Sequence, residues 1–592
     1  MCGILGCITK NEIHEVKGEF DSALKLLSHR GPDFCKSIQY NNVLLGHTRL
    51  AILDLDSRSN QPIDFRDKYT LVFNGEIYNY KELKEELHLQ GYRFHTEGDA
   101  EVLLCAYDFW GEKCVEYFNG MWAFALLDKT KNRLFCSRDR FGEKPFFYFQ
   151  DEEQFIFASE IKAILPFVKN IKANILAMIP FIARGNMDCY KNQTFFKDIF
   201  RLNPAENMVI NLESLQIKKT EYYHLSSNTK RVENIENPYK SVRRILENSV
   251  QLRLRSDVRV GGCLSGGLDS SCLNALIARF HPNKKDYIAI HAKSSLEESD
   301  ESRYAREVSK YLGIELCVIE PTENEFLESL EKVMYVQDEP FGSTSIYMQY
   351  FVMQKARELG IKVMFDGQGA DEVFLGYEGY LKNLYKYFLE KGKEKNFFEN
   401  LKMFRYSKDS VIYEFCRMEN FETLYSRIQK GNIKVEYLGE EFLREIFCYK
   451  TFIEFNTKEI KNNGMQALLR YEDRDSMAFG IESRLPYLDY RLVDFVLSLP
   501  IEVKFQQGYL KYLLRKSCED LLPQSIIWRY NKMGFESPQK LWLTKLKNEM
   551  IEAINHSKIL NEIFKKIEIR EDGFMWRLYN IAKWEAMYKV EI

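Results

Sequence analysis

Ser265-Gly266-Gly267-Leu268-Asp269-Ser270-Ser271 is the stretch that restricts the fold of this 592-residue chain most strongly. It follows a predicted strand that ends at Leu264 and precedes a helix whose apolar residues recur at the i, i+3, i+4, i+7 spacing. Glycines let backbone N–H groups approach a phosphate, serines add donors, and a helix N-terminus favours an anion. The loop lacks the Gly-Lys-Ser/Thr ending of a P-loop, so it predicts a phosphate site of another type. The simpler alternative is an ordinary strand-to-helix turn.

The surrounding residues predict a parallel sheet. Residues 258–264, 287–291, 314–319 and 362–365 have strand character and alternate with helical periodicity, which is typical of a parallel sheet covered by helices. The last strand runs into Asp366-Gly367-Gln368-Gly369-Ala370-Asp371-Glu372. Both loops should therefore lie at carboxyl ends of strands, where open parallel sheets bind ligands.

Acidic residues in the two loops indicate a metal ion. The Asp269 carboxylate would repel a phosphate unless a divalent cation lay between them. Asp371 and Glu372 are candidate partners, and we expect Asp269 and Asp371 to bind Mg²⁺. The alternative for Asp371 and Glu372 is the ordinary acidic preference of a helix start.

The chain to about residue 210 has a different pattern, in which short strands are interrupted by two helices. This pattern predicts α+β layering. One helix follows Asn79, which we expect to form a capping box with Glu82. We therefore expect two folds, over 1–210 and 211–592, and no motif marks the charged segment 380–465. The predicted strands of the first part include 69–73, 124–127 and 155–158.

The N-terminal residues suggest a nucleophile that carries its own base. If Met1 is removed, Cys2 has a free α-amine, and its pKa of roughly 7.7–8.0 suits it to take the thiol proton. Taken alone, such a cysteine is more often a small buried residue. Groups elsewhere in the first half change that interpretation.

These groups fit glutamine. Arg49 could hold a carboxylate bidentately, and Glu76 and Asp99 could hold an ammonium group. The Asn74 amide and the Gly75 N–H could stabilise the oxyanion of a tetrahedral intermediate. The simpler alternatives are a hairpin turn at Asn74-Gly75, a surface ion pair for Arg49 and a helix cap for Asp99.

Five motifs of the first half resemble class II glutamine amidotransferases, which are N-terminal-nucleophile hydrolases. The resemblance implies a sandwich of two antiparallel sheets between helices. It also implies Cys2 as nucleophile, with Asn74 and Gly75 as oxyanion stabilisers. The glutamine-binding groups that it implies are Arg49, Glu76 and Asp99. The motifs are Met1-Cys2-Gly3-Ile4, His29-Arg30-Gly31-Pro32-Asp33, Arg49-Leu50-Ala51-Ile52, Asn74-Gly75-Glu76-Ile77-Tyr78-Asn79 and Arg138-Asp139-Arg140-Phe141-Gly142-Glu143-Lys144-Pro145.

The loop at 265–271 is similar to that of ATP pyrophosphatases, and later motifs look like asparagine synthetases. The resemblance implies an α/β parallel-sheet ATP-pyrophosphatase domain with extra helices, and it gives Lys511 a role on ATP phosphates. We expect Lys511 and Arg515 on one helix face, which would be a solvated face if the resemblance were ignored. The later motifs are Asp473-Arg474-Asp475-Ser476-Met477-Ala478, Glu482-Ser483-Arg484-Leu485-Pro486-Tyr487-Leu488-Asp489, Gly508-Tyr509-Leu510-Lys511-Tyr512-Leu513-Leu514-Arg515 and Lys532-Met533-Gly534-Phe535. The implied ATP- and pyrophosphate-binding residues are Leu264, Ser265, Gly266, Gly267, Asp269, Ser270, Gln368 and Gly369.

The resemblance implies amidation of aspartate by ammonia from glutamine, through an acyl-adenylate and an internal ammonia tunnel. The chain departs from the pattern at Gln368, where a glutamate is common, and at Asp366, which replaces a small hydroxyl residue. Because an amide cannot take a proton, another acceptor such as a sugar uronate of a surface polysaccharide remains the alternative. A non-catalytic scaffold and a stand-alone glutaminase are disfavoured, since Cys2, Asn74 and Asp269 are all present.

Composition argues against other classes. The net charge of -3, without a basic stripe, gives no reason to expect a nucleic-acid partner. The 13 cysteines have neither C-x-x-C pairs nor zinc spacing, so we expect reduced thiols. Neither a signal peptide nor a bilayer-length apolar run is apparent, so we expect a cytoplasmic protein without a membrane partner. A homodimer is a further expectation.

Overall fold

Two six-stranded antiparallel sheets form the first half of the protein in the computed structural model. The strand orders are β10-β8-β9-β1-β3-β2 and β12-β11-β7-β6-β5-β4. The strands are β1 (Gly3–Thr9), β2 (Phe34–Tyr40), β3 (Val43–Arg49), β4 (Ile63–Phe65), β5 (Tyr69–Ile77), β6 (Gly120–Asp128), β7 (Arg133–Arg138), β8 (Phe147–Gln150), β9 (Gln154–Ala158), β10 (Ile199–Arg201), β11 (Glu206–Asn211) and β12 (Ile217–Glu221). Because β12 pairs with β11, this layered unit extends beyond residue 210.

The structure describes residues 1–185, 192–225, 237–401, 433–434, 451–461, 464–530, 537–567 and 573–592. The motif at 532–535 and much of the segment 380–465 lie outside these residues. No described helix combines the length and apolar composition that a bilayer crossing requires.

Alternating side chains of the strands build the layers. Ile4 and Ile8 of β1 belong to the core between the two sheets, together with Val72 of β5. Leu5 and Cys7, which point to the opposite face of β1, pack with the first helix. This arrangement confirms the expected sandwich of two antiparallel sheets between helices.

The second half contains a five-stranded parallel sheet in the order β15-β14-β13-β16-β17. The four predicted strands are confirmed. The fifth, β17, was not predicted because three residues carry too little pattern to be recognised. The strands are β13 (Val260–Cys263), β14 (Ile288–Ala292), β15 (Glu315–Ile319), β16 (Val363–Phe365) and β17 (Glu482–Arg484).

Helices cover both faces of the parallel sheet and the outer faces of the sandwich. The described helices of the first half are α1 (Ile13–Lys25), α2 (Tyr80–Leu89), α3 (Asp99–Trp110), α4 (Cys114–Tyr117) and α5 (Ile175–Arg184). Those of the second half are α6 (Pro238–Arg253), α7 (Leu268–Phe280), α8 (Ser302–Leu312), α9 (Glu323–Gln337), α10 (Ser345–Glu358), α11 (Ala370–Phe374), α12 (Leu381–Glu390), α13 (Glu394–Leu401), α14 (Phe452–Lys461), α15 (Gly464–Met477), α16 (Tyr490–Ser498), α17 (Ile501–Lys504), α18 (Tyr512–Ser517), α19 (Gln524–Ile527), α20 (Gln539–His556), α21 (Lys558–Ile563) and α22 (Gly573–Tyr588).

The expected capping box of α2 is absent, although the helix begins where predicted. The Asn79 carboxamide accepts a hydrogen bond from the Asn119 N–H at 2.8 Å and makes no cap bond. Glu82 pairs with Arg255 of the second half at 2.6 Å. Tertiary contacts therefore take both side chains away from the helix end.

The two halves share apolar packing. Helix α22 packs against α5, and the ring of Trp584 lies 4.8 Å from that of Phe196. The Glu591 N–H donates to the carbonyl of Ile171 at 2.7 Å, which joins the last residues to the first half. The C-terminal helix and the last residues therefore join the second half to the first.

Candidate active sites in the two halves

The structure brings the predicted residues of the first half together at one pocket. Cys2 precedes β1, Arg49 ends β3, and Asp99 begins α3. All three line the pocket with Gly75 and Glu76. The sequence placed Asn74-Gly75 after a strand, but both residues lie inside β5, so they form no hairpin turn.

Asn74 is held directly against Cys2. Its Oδ1 accepts a hydrogen bond from the Cys2 N–H at 2.9 Å, which leaves Nδ2 as the remaining donor of the amide. This buried Nδ2 has no hydrogen-bond partner among the described residues. A Cβ on Gly75 would lie 2.1 Å from the Met121 carbonyl of β6, so only glycine fits here. The amide can donate to a negative oxygen formed beside Cys2.

Arg49 holds the loop that borders the pocket. Its guanidinium donates to the Asp54 carbonyl at 2.5 Å, to the Asp56 carbonyl at 2.9 Å and to Asn60 Oδ1 at 2.7 Å. The side chain is buried and is not a surface ion pair. Arg49 thus shapes the pocket and lines it.

Buried acids give the pocket a preference for a cation. Burial raises the pKa of Glu76 well above its usual value, and neighbouring carboxylates raise it further. Burial also raises the pKa of Asp99 to about 6, although the Ile77 N–H donates to it at 2.7 Å. An ammonium ligand would offset this repulsion between buried carboxylates. The Cys2 thiol is likewise buried, which raises its pKa, so it needs a base to become a thiolate.

Glu482 and Arg484 contact residues that line the pocket, and sequence reasoning missed these contacts. The resemblance assigned both to the synthetase half. In the structure Glu482 pairs with the Met1 ammonium at 3.1 Å, and Arg484 Nη2 lies 3.7 Å from Glu76 Oε1. Their opposite charges at i and i+2 share one face of β17, and this spacing was the available signal.

The second site lies where β13 and β16 end side by side. Ser265 Oγ lies 2.9 Å from Ser270 Oγ and accepts a hydrogen bond from the Gly267 N–H at 3.2 Å. Gly266 has a φ of +83°, and a Cβ there would lie 2.8 Å from the Ala305 nitrogen. The loop therefore requires glycine.

A cavity of about 380 Å³ opens between the two loops. Gln349 and Asp366 line it beside the predicted residues, and Gly369, with a φ of +90°, turns the second loop into α11. The predicted residues that line the cavity are Leu264, Ser265, Asp269, Ser270, Gln368 and Asp371.

Lys511 departs from its predicted position. Helix α18 begins at Tyr512, and Lys511 precedes it in the left-handed conformation with a φ of +54°. Its Nζ lies 2.6 Å from Asp269 Oδ2 and 2.5 Å from Asp371 Oδ1. Lys511 and Arg515 are both buried, which rules out the alternative of a solvated helix face. Arg515 Nε donates to the Leu510 carbonyl at 3.0 Å.

The residues present fit a divalent cation bound together with phosphate. No group of three His, Cys, Asp or Glu side chains in the described parts of the chain could hold a metal by itself. Asp269 and Asp371 nevertheless converge on one cation, the Lys511 ammonium, which stands in for a metal between them. Glu372 accepts a hydrogen bond from the Tyr377 hydroxyl at 2.7 Å, and burial raises its pKa to about 7.

A wall of buried side chains lies between the two sites. Arg30 Nε donates to the Cys2 carbonyl at 3.1 Å, while its other nitrogens bind Asp473 of α15 at 2.8 and 3.0 Å. The preceding residue, Glu472, accepts hydrogen bonds from Ser483 and from Gln349, and Gln349 lines the second cavity. Within β17, Arg484 therefore contacts Glu76 of the first pocket, while Ser483 contacts Glu472 on the side of the second cavity.

The chain matches two family models and several named relatives. The asparagine synthase model matches residues 241–577, and the glutamine amidotransferase domain model matches residues 1–223. Glutamine-hydrolyzing asparagine synthetases 1 and 3 of Bacillus subtilis (strain 168) are 31% and 30% identical over 94% of this chain, covering 89% and 90% of those proteins. Amidase chyE of Penicillium rubens is 26% identical over 92% of this chain and 89% of its own length.

Proposed function

The chain belongs to the asparagine synthase family, and from this premise we propose that it is an ATP-dependent ligase that amidates aspartate with ammonia released from glutamine. The products would be asparagine, AMP, pyrophosphate and glutamate. The observation that carries the proposal is strand β17. Arg484 Nη2 lies 3.7 Å from Glu76 Oε1 of the Cys2 pocket. Ser483, between Glu482 and Arg484, donates to Glu472, which also accepts from Gln349 of the second cavity. We also place the boundary between the two units after Glu221, because β12 belongs to the first.

The first reaction is glutamine hydrolysis at Cys2. After removal of Met1, the free α-amine takes the thiol proton, and the thiolate attacks the glutamine amide carbon. Asn74 Nδ2 and the Gly75 N–H stabilise the oxyanion. The α-ammonium returns its proton to the amide nitrogen as the intermediate collapses, so ammonia leaves and a glutamyl thioester remains. Water hydrolyses this thioester to glutamate and the free thiol. Glu76 and Asp99 bind the glutamine ammonium.

The second reaction activates the acceptor. A carboxylate oxygen attacks the α-phosphorus of ATP, and pyrophosphate leaves from the loop that begins at Ser265. The backbone N–H groups and serines of this loop hold the departing phosphates, and Lys511 supplies positive charge close to them. Asp269 and Asp371 would hold Mg²⁺, which would add the positive charge that the pyrophosphate needs. Ammonia then attacks the acyl carbon, AMP leaves, and one proton is released.

The nucleophile must reach the second site as ammonia, because the ammonium ion has no lone pair. We place its route through the wall formed by Arg30, β17 and α15. Support comes from Arg30, which contacts the Cys2 carbonyl on one side and Asp473 on the other. Burial of these contacts keeps bulk water away from the route.

Product analysis tests the proposal. Enzyme with a processed N-terminus is incubated with ATP, MgCl₂, glutamine and labelled aspartate. We expect labelled asparagine, AMP, pyrophosphate and glutamate in equal amounts. Formation of ADP and phosphate would contradict the adenylation chemistry.

A second acceptor class is favoured by Asp366 and Gln368. Both line the cavity, where a carboxylate and a neutral amide can hydrogen-bond hydroxyl groups of a sugar uronate as well as an amino acid. Pyrophosphate release is therefore measured over a panel of amino-acid and uronate carboxylates. Turnover of a uronate without turnover of aspartate would support this second function.

A further inference from the structure

Lys511 occupies the place between two carboxylates that a divalent cation would need. Its Nζ is 2.6 Å from Asp269 Oδ2 and 2.5 Å from Asp371 Oδ1. The carboxylates come from two separate helices, α7 and α11, and the lysine comes from the segment before α18. One ammonium group therefore bridges the two loops of the second site.

The surrounding backbone positions this ammonium between the two carboxylates. Lys511 itself adopts the left-handed conformation, which is unfavourable for a residue with a side chain. A Cβ on Gly376 would lie 1.9 Å from Lys511 Cε and 2.0 Å from Asp371 Oδ1, so glycine is required beside the pair. The Lys511 side chain is 3% exposed, so water screens its charge little from the two carboxylates.

This geometry makes metal binding costly in the absence of nucleotide. A divalent ion between the carboxylates would lie a few ångströms from the Lys511 charge and would have to displace it. A displaced ammonium in a buried site needs a new anionic partner. The phosphates of a nucleotide are such a partner, and they also supply metal ligands that two carboxylates lack.

We propose that Lys511 is a resident counter-cation that prevents Asp269 and Asp371 from binding a divalent metal until a nucleotide arrives. This proposal rests on the proposed nucleotide site. It adds that the metal does not bind before the nucleotide, so that the two enter together. Lys511 then moves from the carboxylates to the phosphates. It is a positioning residue for the metal as well as a phosphate ligand.

Manganese binding tests this order without any measurement of activity. Free Mn²⁺ is followed by electron paramagnetic resonance, with and without α,β-methylene ATP. We expect wild-type enzyme to bind Mn²⁺ alone weakly, and Lys511→Met to bind it at least about tenfold more tightly, because a repelling charge is removed. Lys516→Met is the matched control, since Lys516 lies on the neighbouring helix and pairs with Glu519 at 2.6 Å. It should behave as wild type.

Two further variants locate the effect. Lys511→Arg keeps the positive charge and should bind Mn²⁺ alone as weakly as wild type. The double variant Lys511→Met/Asp371→Asn should lose the tighter Mn²⁺ binding of Lys511→Met, because it lacks one of the two carboxylates. That loss would place the metal at this site. A gain that persists in the double variant would overturn the proposal.

Wild-type enzyme alone also decides the question. If it binds Mn²⁺ as tightly without the nucleotide analogue as with it, the proposal is wrong, whether or not the variants fold. Failure of the proposed function would appear differently. In that case equilibrium dialysis would show no retention of the analogue by wild-type enzyme at any Mn²⁺ concentration.

Discussion

Replacement of Asn74 should remove glutamine hydrolysis while sparing the second site. The Cys2 nitrogen donates to Asn74 Oδ1 at 2.9 Å, and the α-amine that removal of Met1 leaves at this nitrogen still carries hydrogens that can donate to the same oxygen. The orientation of the amide is thereby fixed. Its buried Nδ2 is the atom left to donate to the oxyanion, because it has no partner in the described parts of the chain.

The magnitude follows from this geometry. Loss of one preorganised oxyanion donor lowers kcat by about 10²–10³, or roughly 3–4 kcal/mol. Asn74→Ala also leaves the buried Cys2 N–H without its acceptor, which costs about 1–3 kcal/mol in stability. Asn74→Asp keeps that acceptor and the shape of the side chain. It places a carboxylate beside the developing oxyanion, so its kcat should fall at least as far as that of Asn74→Ala.

Two rates are measured on each variant. Glutamate release at saturating glutamine reports the first site, and pyrophosphate release driven by ammonium chloride reports the second. We expect the first rate to fall and the second to change less than about threefold, well below the loss expected from a missing oxyanion donor. An Asn74→Asp variant with the wild-type rate of glutamate release would refute the oxyanion assignment.

Three other predictions follow from buried groups. Cys2→Ala should abolish glutamine-dependent synthesis but keep ammonium-dependent synthesis; loss of both in a protein of unchanged stability would contradict separate sites. Asp473→Asn breaks the buried ion pair with Arg30, so it should lower the free energy of unfolding by about 3–5 kcal/mol. The control Asp520→Asn removes an exposed carboxylate and should lower it by at most about 1 kcal/mol. Both values are measured by chemical denaturation. Burial raises the pKa of Glu143 from 4.5 to about 8. Between these two pH values the native state keeps a proton that the unfolded state has lost. The free energy of unfolding therefore falls as the pH rises from about 4.5 to 8, by at most about 5 kcal/mol. Glu143→Gln should therefore be more stable than wild type at pH 8, with a difference that shrinks towards pH 5, and Glu152→Gln on the surface should show no such trend.

The layered architecture could be predicted because it depends on local pattern. Alternation in β1 and β5 separates the two faces of each sheet, and the alternation of strands and helices indicates the parallel sheet. The residues around Cys2 were found because their chemistry converges on one small molecule. Their convergence in space is what the structure adds.

Tertiary contacts account for what could not be predicted. Asn79 and Glu82 have the right spacing for a capping box, but Asn119 and Arg255 bind them in the folded protein. The helical spacing from Lys511 to Arg515 suggested a solvated face, and no local pattern reveals that Lys511 lies outside the helix and reaches two distant carboxylates.

The role of β17 was hidden for a related reason. Arg484 is distant from Glu76 in sequence, and the contact between them depends on how the two halves pack. A strand of three residues is too short to be recognised by periodicity. Its alternating side chains also point towards two different sites, Arg484 towards the first and Ser483 towards the second. Such a residue is found only when both halves are seen together.

The most direct test of the whole account follows the nitrogen atom. Enzyme turns over [amide-¹⁵N]glutamine, ATP and its acceptor in the presence of excess unlabelled ammonium chloride, and the ¹⁵N content of the product amide is measured by mass spectrometry. If ammonia passes from the Cys2 pocket to the adenylate inside the protein, the product keeps far more ¹⁵N than free mixing allows. A ¹⁵N content equal to that of the bulk ammonium pool would contradict it.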